Sequence, residues 1–379
     1  GDARQGGGEG GGGRIALHYD TAAQALLPAP PLTLSASAGK RDHHTESQFG
    51  TIHLPDASFL SESVSNIRGW LHIPGFTAWE PASLTLTNSY LGFANEAFQL
   101  TVAGSVGGTG DRMLALGTNA SVAVGGDLDA SVTFVSGGRC TVDGQVRIPA
   151  TSWNNYQSLT AEADVTAGGD LTIQGVWRFT SAPTNGVADY GSLLAAGAGM
   201  RIVTNAQVYL YANPTNGGAA LLRMDRLLIT TGAVINANGG GFGGRHAAAG
   251  YGPGGGGPGA TGGGGGYGGR GGLASGGASN GWAYAPLGPG SAGGGRTASS
   301  GKAGSSGGGL VRIEACGDVT VDGTITANGA DSISYCGSGA GGGIFIRAAS
   351  FGGAEYAVLR ANGGDRNTGG GAGGGGRIA

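Results

Sequence analysis

Apolar and polar residues alternate in short bursts along this chain, and a glycine interrupts each burst at the same place. The form apolar-Thr-apolar-x-Gly-x-apolar occurs as LTVAGSV (Leu100 to Val106), CTVDGQV (Cys140 to Val146), LTIQGVW (Leu171 to Trp177) and VTVDGTI (Val319 to Ile325). LITTGAV (Leu228 to Val234) is a looser copy. Alternation with a period of two sends successive side chains to opposite faces of a strand. The glycine, at Gly144, Gly175 and Gly323 among others, marks a bend that tolerates a positive φ. Each copy therefore predicts two short strands joined at a corner. A helix is predicted only at TAAQALL, from Thr21 to Leu27, as a turn or two before Pro28.

The bursts recur with a regular step. GGGLVRIEA (Gly307 to Ala315), GGGIFIRAA (Gly341 to Ala349) and GGGGRIA (Gly373 to Ala379) end their glycine runs at Gly309, Gly343 and Gly376, an almost constant spacing. A second marker travels with them, VINANGG, TITANGA and VLRANGG, carrying Asn238, Asn328 and Asn362. Asn328 and Asn362 keep the same step, whereas Asn238 and Asn328 stand far wider apart, so an insertion lies between them. Asn and Gly both accept left-handed backbone at a corner, and stacked Asn amides can form a ladder. The plainer reading is that Asn-Gly is common in turns. A longer period overlies these steps: the stretch from Gly1 to Ala16 returns, with most of its positions identical, from Gly364 to Ala379. The chain thus reads as one long period plus the start of the next, with seam residues Gly10, Arg14 and Ile15 matching Gly373, Arg377 and Ile378.

Short strands with a glycine corner, returning at this step, suit a solenoid of parallel strands, an all-β fold in which each turn stacks on the one before. The alternative is a set of β-sandwich domains joined by glycine-rich linkers, for which the Asp143-Gly144 and Asp322-Gly323 dipeptides would be hairpin turns. Four segments follow from the texture of the chain. Residues 1–56 are glycine-rich rungs, 57–232 a less regular solenoid or compact β-domain, 233–309 a strand corner followed by a glycine-rich insertion, and 310–379 regular rungs. The insertion reads either as a flexible linker or as packed polyglycine helices of polyproline II type. Its four aromatics, Tyr251, Tyr267, Trp282 and Tyr284, would then stand at the rim.

Composition narrows the classes. Glycine accounts for 86 of 379 residues, without the every-third spacing that collagen requires. Charged residues are only 12% while hydrophobic ones are 39%, the opposite of a disordered chain. A net charge of −3 offers no footing for nucleic acid. A single RGG in YGGRGG (Tyr267 to Gly272) does not change that. No apolar run is long enough to span a bilayer, so no direct membrane insertion is expected. Low lysine and abundant Gly, Ser, Thr and Asn point to an extracellular or cell-surface setting.

Candidate chemistry is sparse. Paired carboxylates occur at Asp127/Asp129, Glu162/Asp164 and Asp318/Asp322, and the plainer reading of each is a solvated strand face. All the histidines except His246 lie at or before His72, but adjacent His43 and His44 point apart on a strand and make no ligand set. No metal, cofactor or catalytic residue is expected. Cys316 and Cys336 are candidates for a disulfide between neighbouring turns, and Asn119 heads a glycosylation sequon. Trp153, Tyr156, Trp282 and Tyr284 are candidate glycan contacts. Flat Thr-x-Thr arrays of an ice-binding solenoid are confined to Thr85/Thr87 and Thr324/Thr326.

GGGGRIALHYD, LTLSASAGK and FGTIHLP, within residues 10–55, resemble the glycine-rich repeats of very large bacterial cell-surface proteins, as do GGGLVRIEA, VTVDGTITANGA and GGGIFIRAA. Those proteins are similar to filamentous haemagglutinin-like and autotransporter-passenger β-helices. The resemblance implies a right-handed parallel β-helix, exported, serving as a fibre, stalk or adhesin. The expectation is a non-catalytic structural repeat whose partners are neighbouring copies of itself. The alternatives are an adhesin for surface polysaccharide and, behind it, a β-helix polysaccharide lyase or hydrolase.

Overall fold

The structure is a computed structural model that describes residues 11–28, 32–38, 48–149, 158–161, 163–184, 186–297 and 302–379. Of residues 158–161 it describes the backbone. Among the described residues the fold is all-β, with one four-residue helix, Thr21–Gln24, capped by the Asp20 carboxylate, which accepts from the Ala22 and Ala23 N–H groups. The chain divides into two compact units, Gly1–Trp177 and Arg178–Ala379, and the division falls inside the stretch 57–232 that reads as one segment in sequence.

In the N-terminal unit the alternating bursts form parallel ladders. Gln99–Val102, Ala120–Val124, Gly138–Val142 and Ala163–Ala167 pair side by side, aligning Leu100, Val122, Cys140 and Val165 in one buried row. A second ladder begins one corner later and aligns Val106, Leu128, Val146 and Leu171. Burial alternates along each strand because the polar positions face out. The longest pair, Leu84–Phe93 with Val106–Leu116, contains a bulge between Thr87 and Ser89 that lets one strand bend through a corner without breaking. Aromatic rings thicken the core here: Phe93 stacks on Phe98 at 4.4 Å and Phe49 on Tyr90 at 4.0 Å.

The C-terminal unit has three parallel ladders, and each strand pairs with the third strand further along the chain. The first joins Ser192–Ala196, Ala220–Met224, Leu310–Ala315, Gly343–Arg347 and Arg377–Ile378. The second joins Gly199–Ile202, Arg226–Ile229, Asp318–Val321 and Ser350–Gly353. The third joins Gln207–Tyr211, Val234–Asn236, Thr324–Thr326 and Val358–Arg360. Leu222 pairs with Ile313 in the first ladder, so the ladders close up across the insertion as if it were absent.

The Asp-Gly dipeptides are not hairpin turns. Asp143-Gly144 joins Gly138–Val142 to Val146–Ile148, and each of those strands pairs in parallel with a different neighbour. The corner glycines also differ from expectation. Gly144, Gly175 and Gly323 take no positive φ. Successive corners stack so closely that a Cβ on Gly144 would sit 2.7 Å from the Gly126 carbonyl oxygen, and one on Gly323 2.8 Å from that of Thr230. Proximity, not handedness, excludes a side chain there.

Candidate functional site

The insertion is the feature that sets this chain apart, and its glycine runs are knit together through their backbone. Five consecutive N–H groups show the rule. Gly262 donates to the Tyr335 carbonyl (2.8 Å), Gly263 to Gly257 (2.9 Å), Gly264 to Gly272 (3.1 Å), Gly265 to Ser338 (2.9 Å) and Gly266 to Gly254 (2.8 Å). The neighbour repeats every third residue, which is the screw of an extended polyproline II-like helix. In water such a helix leaves its backbone solvated; here each side of it meets another segment.

The same rule extends the array. Gly371 and Gly374 donate to Gly262 and Gly265, and Ser338 and Gly341 donate to Gly371 and Gly374, so these three segments run parallel. Gly290 and Gly293 donate to Gly308 and Ser305, and Gly337 and Ala340 to Gly294 and Ser291, which marks antiparallel neighbours. The runs GSGAGGG and GGAGGGG of the regular rungs are thus part of the lobe, beside the insertion itself.

Glycine is required by this spacing. A Cβ on Gly264 would fall onto the Ala372 carbonyl oxygen, one on Gly337 onto that of Gly263, and one on Gly293 onto that of Gly337, all far inside van der Waals contact. Where a side chain is present and buried it is small. The Ser338 hydroxyl donates to the Asp365 carbonyl at 2.7 Å, the Ser305 hydroxyl to that of Asp331 at 2.6 Å, and the Ser291 hydroxyl accepts from the Gly254 N–H at 3.0 Å. Tyr267 is an exception: its ring is buried, with the Arg377 guanidinium 5.7 Å from its centroid. Arg377 also donates to the Asn280 carbonyl at 3.0 Å. At the rim, Arg245 lies over Tyr251 and Arg296 over Tyr335 at 5.0 and 4.6 Å. Trp282 and Tyr284 are exposed, their rings 5.9 Å apart and tilted by 41°.

The Asn markers stand beside this lobe, each at the end of a third-ladder strand. The Asn238 Oδ1 accepts from the Asn328 N–H and the Thr326 hydroxyl, both at 2.7 Å, and the Asn328 Oδ1 accepts from the Asn362 N–H at 2.8 Å. The link runs from side chain to backbone between turns, and none of the three takes a positive φ. Under the first ladder lies a charged cluster with no sequence signature. Buried Arg312 pairs with Glu314 (2.6 Å) and Asp189 (3.0 Å), and Glu314 also pairs with Arg223 (3.2 Å). Burial alone would raise the Glu314 carboxyl, but the hydrogen bonds and charges of Arg312 and then Arg223 outweigh it and hold it below its usual range.

Other sequence candidates fall as follows. Arg14 and Ile15 pair with Thr51 and Ile52, Arg377 and Ile378 pair with Gly343 and Ile344, and Gly373 donates to the Gly364 carbonyl. Gly10, His43, His44, Trp153, Tyr156 and Glu162 lie outside the described residues. Asn119 sits in an exposed turn at φ 57°. The disulfide is not made: Cys316 is exposed at the end of a strand, whereas Cys336 is buried in the lobe with its thiol toward the Ser334 carbonyl, and both are free. The acidic residues serve local contacts. Asp129 pairs with Arg112 at 2.8 Å, Asp127 accepts from the Gln145 N–H at 2.9 Å, and Asp318 accepts from the Ser350 hydroxyl at 2.6 Å. Among the described residues no three His, Cys, Asp or Glu side chains converge on one point, and no helix is long and apolar enough to cross a membrane. His18, His53 and His72, however, come together on neighbouring strands. Comparison with family models, curated proteins and solved structures gives no match to this chain.

Proposed function

We propose that this chain is a non-catalytic structural repeat of an extracellular filament or cell-surface fibre. In this reading the parallel ladders wind as a β-helix, right-handed as in the proteins it resembles, and its last rung stacks on the first rung of another copy. One observation carries the stacking. Apolar residues of the last rung are exposed at positions whose register partners, one rung inward, are buried. Ile378 is 49% exposed opposite Ile344 at 0%, and Phe351 is 56% exposed opposite Val319 at 0%. A further parallel rung would cover them and satisfy the open strand edge. The restart of GGGGRIA at the seam supplies a rung of matching chemistry.

A chain of two tandem copies fused at the shared GGGGRIA tests this. A continuous rod in electron micrographs, with Ile378 and Phe351 of the first copy protected from solvent, is the expected result. Two independent particles joined by a protease-sensitive seam would overturn it. A second reading has a specific observation behind it: the exposed Trp282/Tyr284 pair offers two tilted aromatic faces on which a sugar could stack. Glycan-array binding that disappears in the Trp282→Ala variant would favour an adhesin over a purely structural fibre.

A further inference from the structure

The outer face of the N-terminal unit carries three histidines in a column. Strand Arg14–Ala16 pairs with Thr51–His53, which pairs in turn with Ile67–His72, and His53 is the direct register partner of His72. Direct partners on parallel strands project to the same side. His18, two residues past its strand, adds a third ring, with centroids 5.5 Å from His18 to His53 and 5.3 Å from His53 to His72. None of the three is buried. The decisive distance is between nitrogens: His53 Nδ1 and His72 Nδ1 are 3.0 Å apart.

We propose that His53 and His72 form a bidentate site for a divalent transition metal that favours tetragonal nitrogen coordination, Cu(II) or Ni(II). The bite fits the ion. Two metal–nitrogen bonds of about 2.0–2.1 Å at a right angle place their nitrogens roughly 2.9 Å apart, whereas a tetrahedral angle spreads them to roughly 3.3 Å. That spacing matches neighbouring corners of a square-planar or tetragonal ion, the geometry of Cu(II) and Ni(II), once the rings turn so that both Nδ1 lone pairs meet at the metal. In the metal-free neutral pair one Nδ1–H donates to the other Nδ1. Binding shifts that donor ring to its other tautomer, its Nδ1 proton leaving to solvent and its Nε2 taking one up, so both rings coordinate through Nδ1 and carry Nε2–H with no net release of a proton. Solvent water completes the remaining positions, with His18 the next nitrogen-bearing ring in the column. Tyr19, next to His18, and Asp56, three residues past His53, are hydrogen-bonded to each other at 2.6 Å.

The test uses the full chain with Cys316 alkylated beforehand, titrated with Cu(II) alone and followed by electron paramagnetic resonance. The expected result is a tetragonal nitrogen-ligated signal that saturates. His53→Ala and His72→Ala should each weaken that binding at least roughly tenfold, the lower end of what even an outer-shell change costs a metal site. His246→Ala should leave it unchanged. The rings stand on an outer face, so the variants retain the fold, checked by an unchanged far-ultraviolet circular dichroism spectrum. Absence of a saturable signal overturns the proposal. So does a signal that survives in both His53→Ala and His72→Ala, because the copper would then sit elsewhere.

Discussion

The Leu100–Val122–Cys140–Val165 ladder and the glycine lobe face the same demand, to pair every backbone donor while excluding water, and meet it in opposite ways. In the ladder, backbones hydrogen-bond edge to edge in one direction and side chains fill the space between sheets. In the lobe, hydrogen bonds leave each segment in three directions, and the backbones themselves are the packing material. The first arrangement draws on apolar burial, at about 25 cal/mol per Å². The second buries little apolar surface and orders the residue with the most conformational entropy to lose, so it depends on the completeness of its hydrogen bonds. A ladder should therefore tolerate a change of side chain as a graded loss, and the lobe should not tolerate a side chain at the glycines where two backbones touch.

Two thiols report on the two regions separately. Cys140 is buried in the ladder, where burial pushes its thiol up to about 12, and Cys336 is buried in the lobe. Cys316 is exposed and should alkylate at once in the native protein.

The largest effect is expected from Gly264→Leu, which drives a side chain into the Ala372 carbonyl. A loss of about 4 kcal/mol or more, at the far end of single substitutions, should free the Cys336 thiol while Cys140 stays protected. Equal release of both thiols would mean that the lobe is no separate packing solution. Leu114→Ala in the N-terminal unit, where Leu114 is fully buried, should cost about 3 kcal/mol by cavity formation and release Cys140 first.

Acid should act next, through Glu314 in the C-terminal unit. Glu314 has its folded-state value held below the ordinary 4.5, so its contribution is full above that value and is lost as pH falls through the lowered one. Chemical denaturation of the Glu314→Gln variant should show a shallower loss of stability than the wild type below pH 4.5. An identical pH profile would show that Arg312 and Arg223 do not stabilise the carboxylate. The smallest effect belongs to Asn238→Ala, which removes two hydrogen bonds beside the lobe and should cost about 1–2 kcal/mol in a thermal melt.

The strand corners were legible because alternation and an interrupting glycine are local facts, and TAAQ forms a short helix where one was expected. Parallel pairing was legible from the even return of one motif, since GGGLVRIEA and GGGIFIRAA pair in parallel, but the register was not: it is shifted one residue from the motif alignment, with Leu310 on Gly343 and Val311 on Ile344. Other features had no local signal. His53 and His72 are 19 residues apart and meet only because one strand registers on the next. Arg312 reaches Asp189 across 123 residues, and nothing in either neighbourhood marks the pair. The reverse failure also occurs: two cysteines at a suggestive spacing remain free because one faces solvent and the other faces the lobe.

By itself, then, the sequence determined the strands, their corners and the rhythm at which they return, because period and glycine placement act over a few residues. It also determined that the insertion could pack, by withholding side chains from it. Which segments would become neighbours was decided by tertiary structure alone. A run of glycines carries no pattern to distinguish its three sides, and only closure of the ladders across the insertion places Gly262 against Tyr335, Gly263 against Gly257 and Gly264 against Gly272.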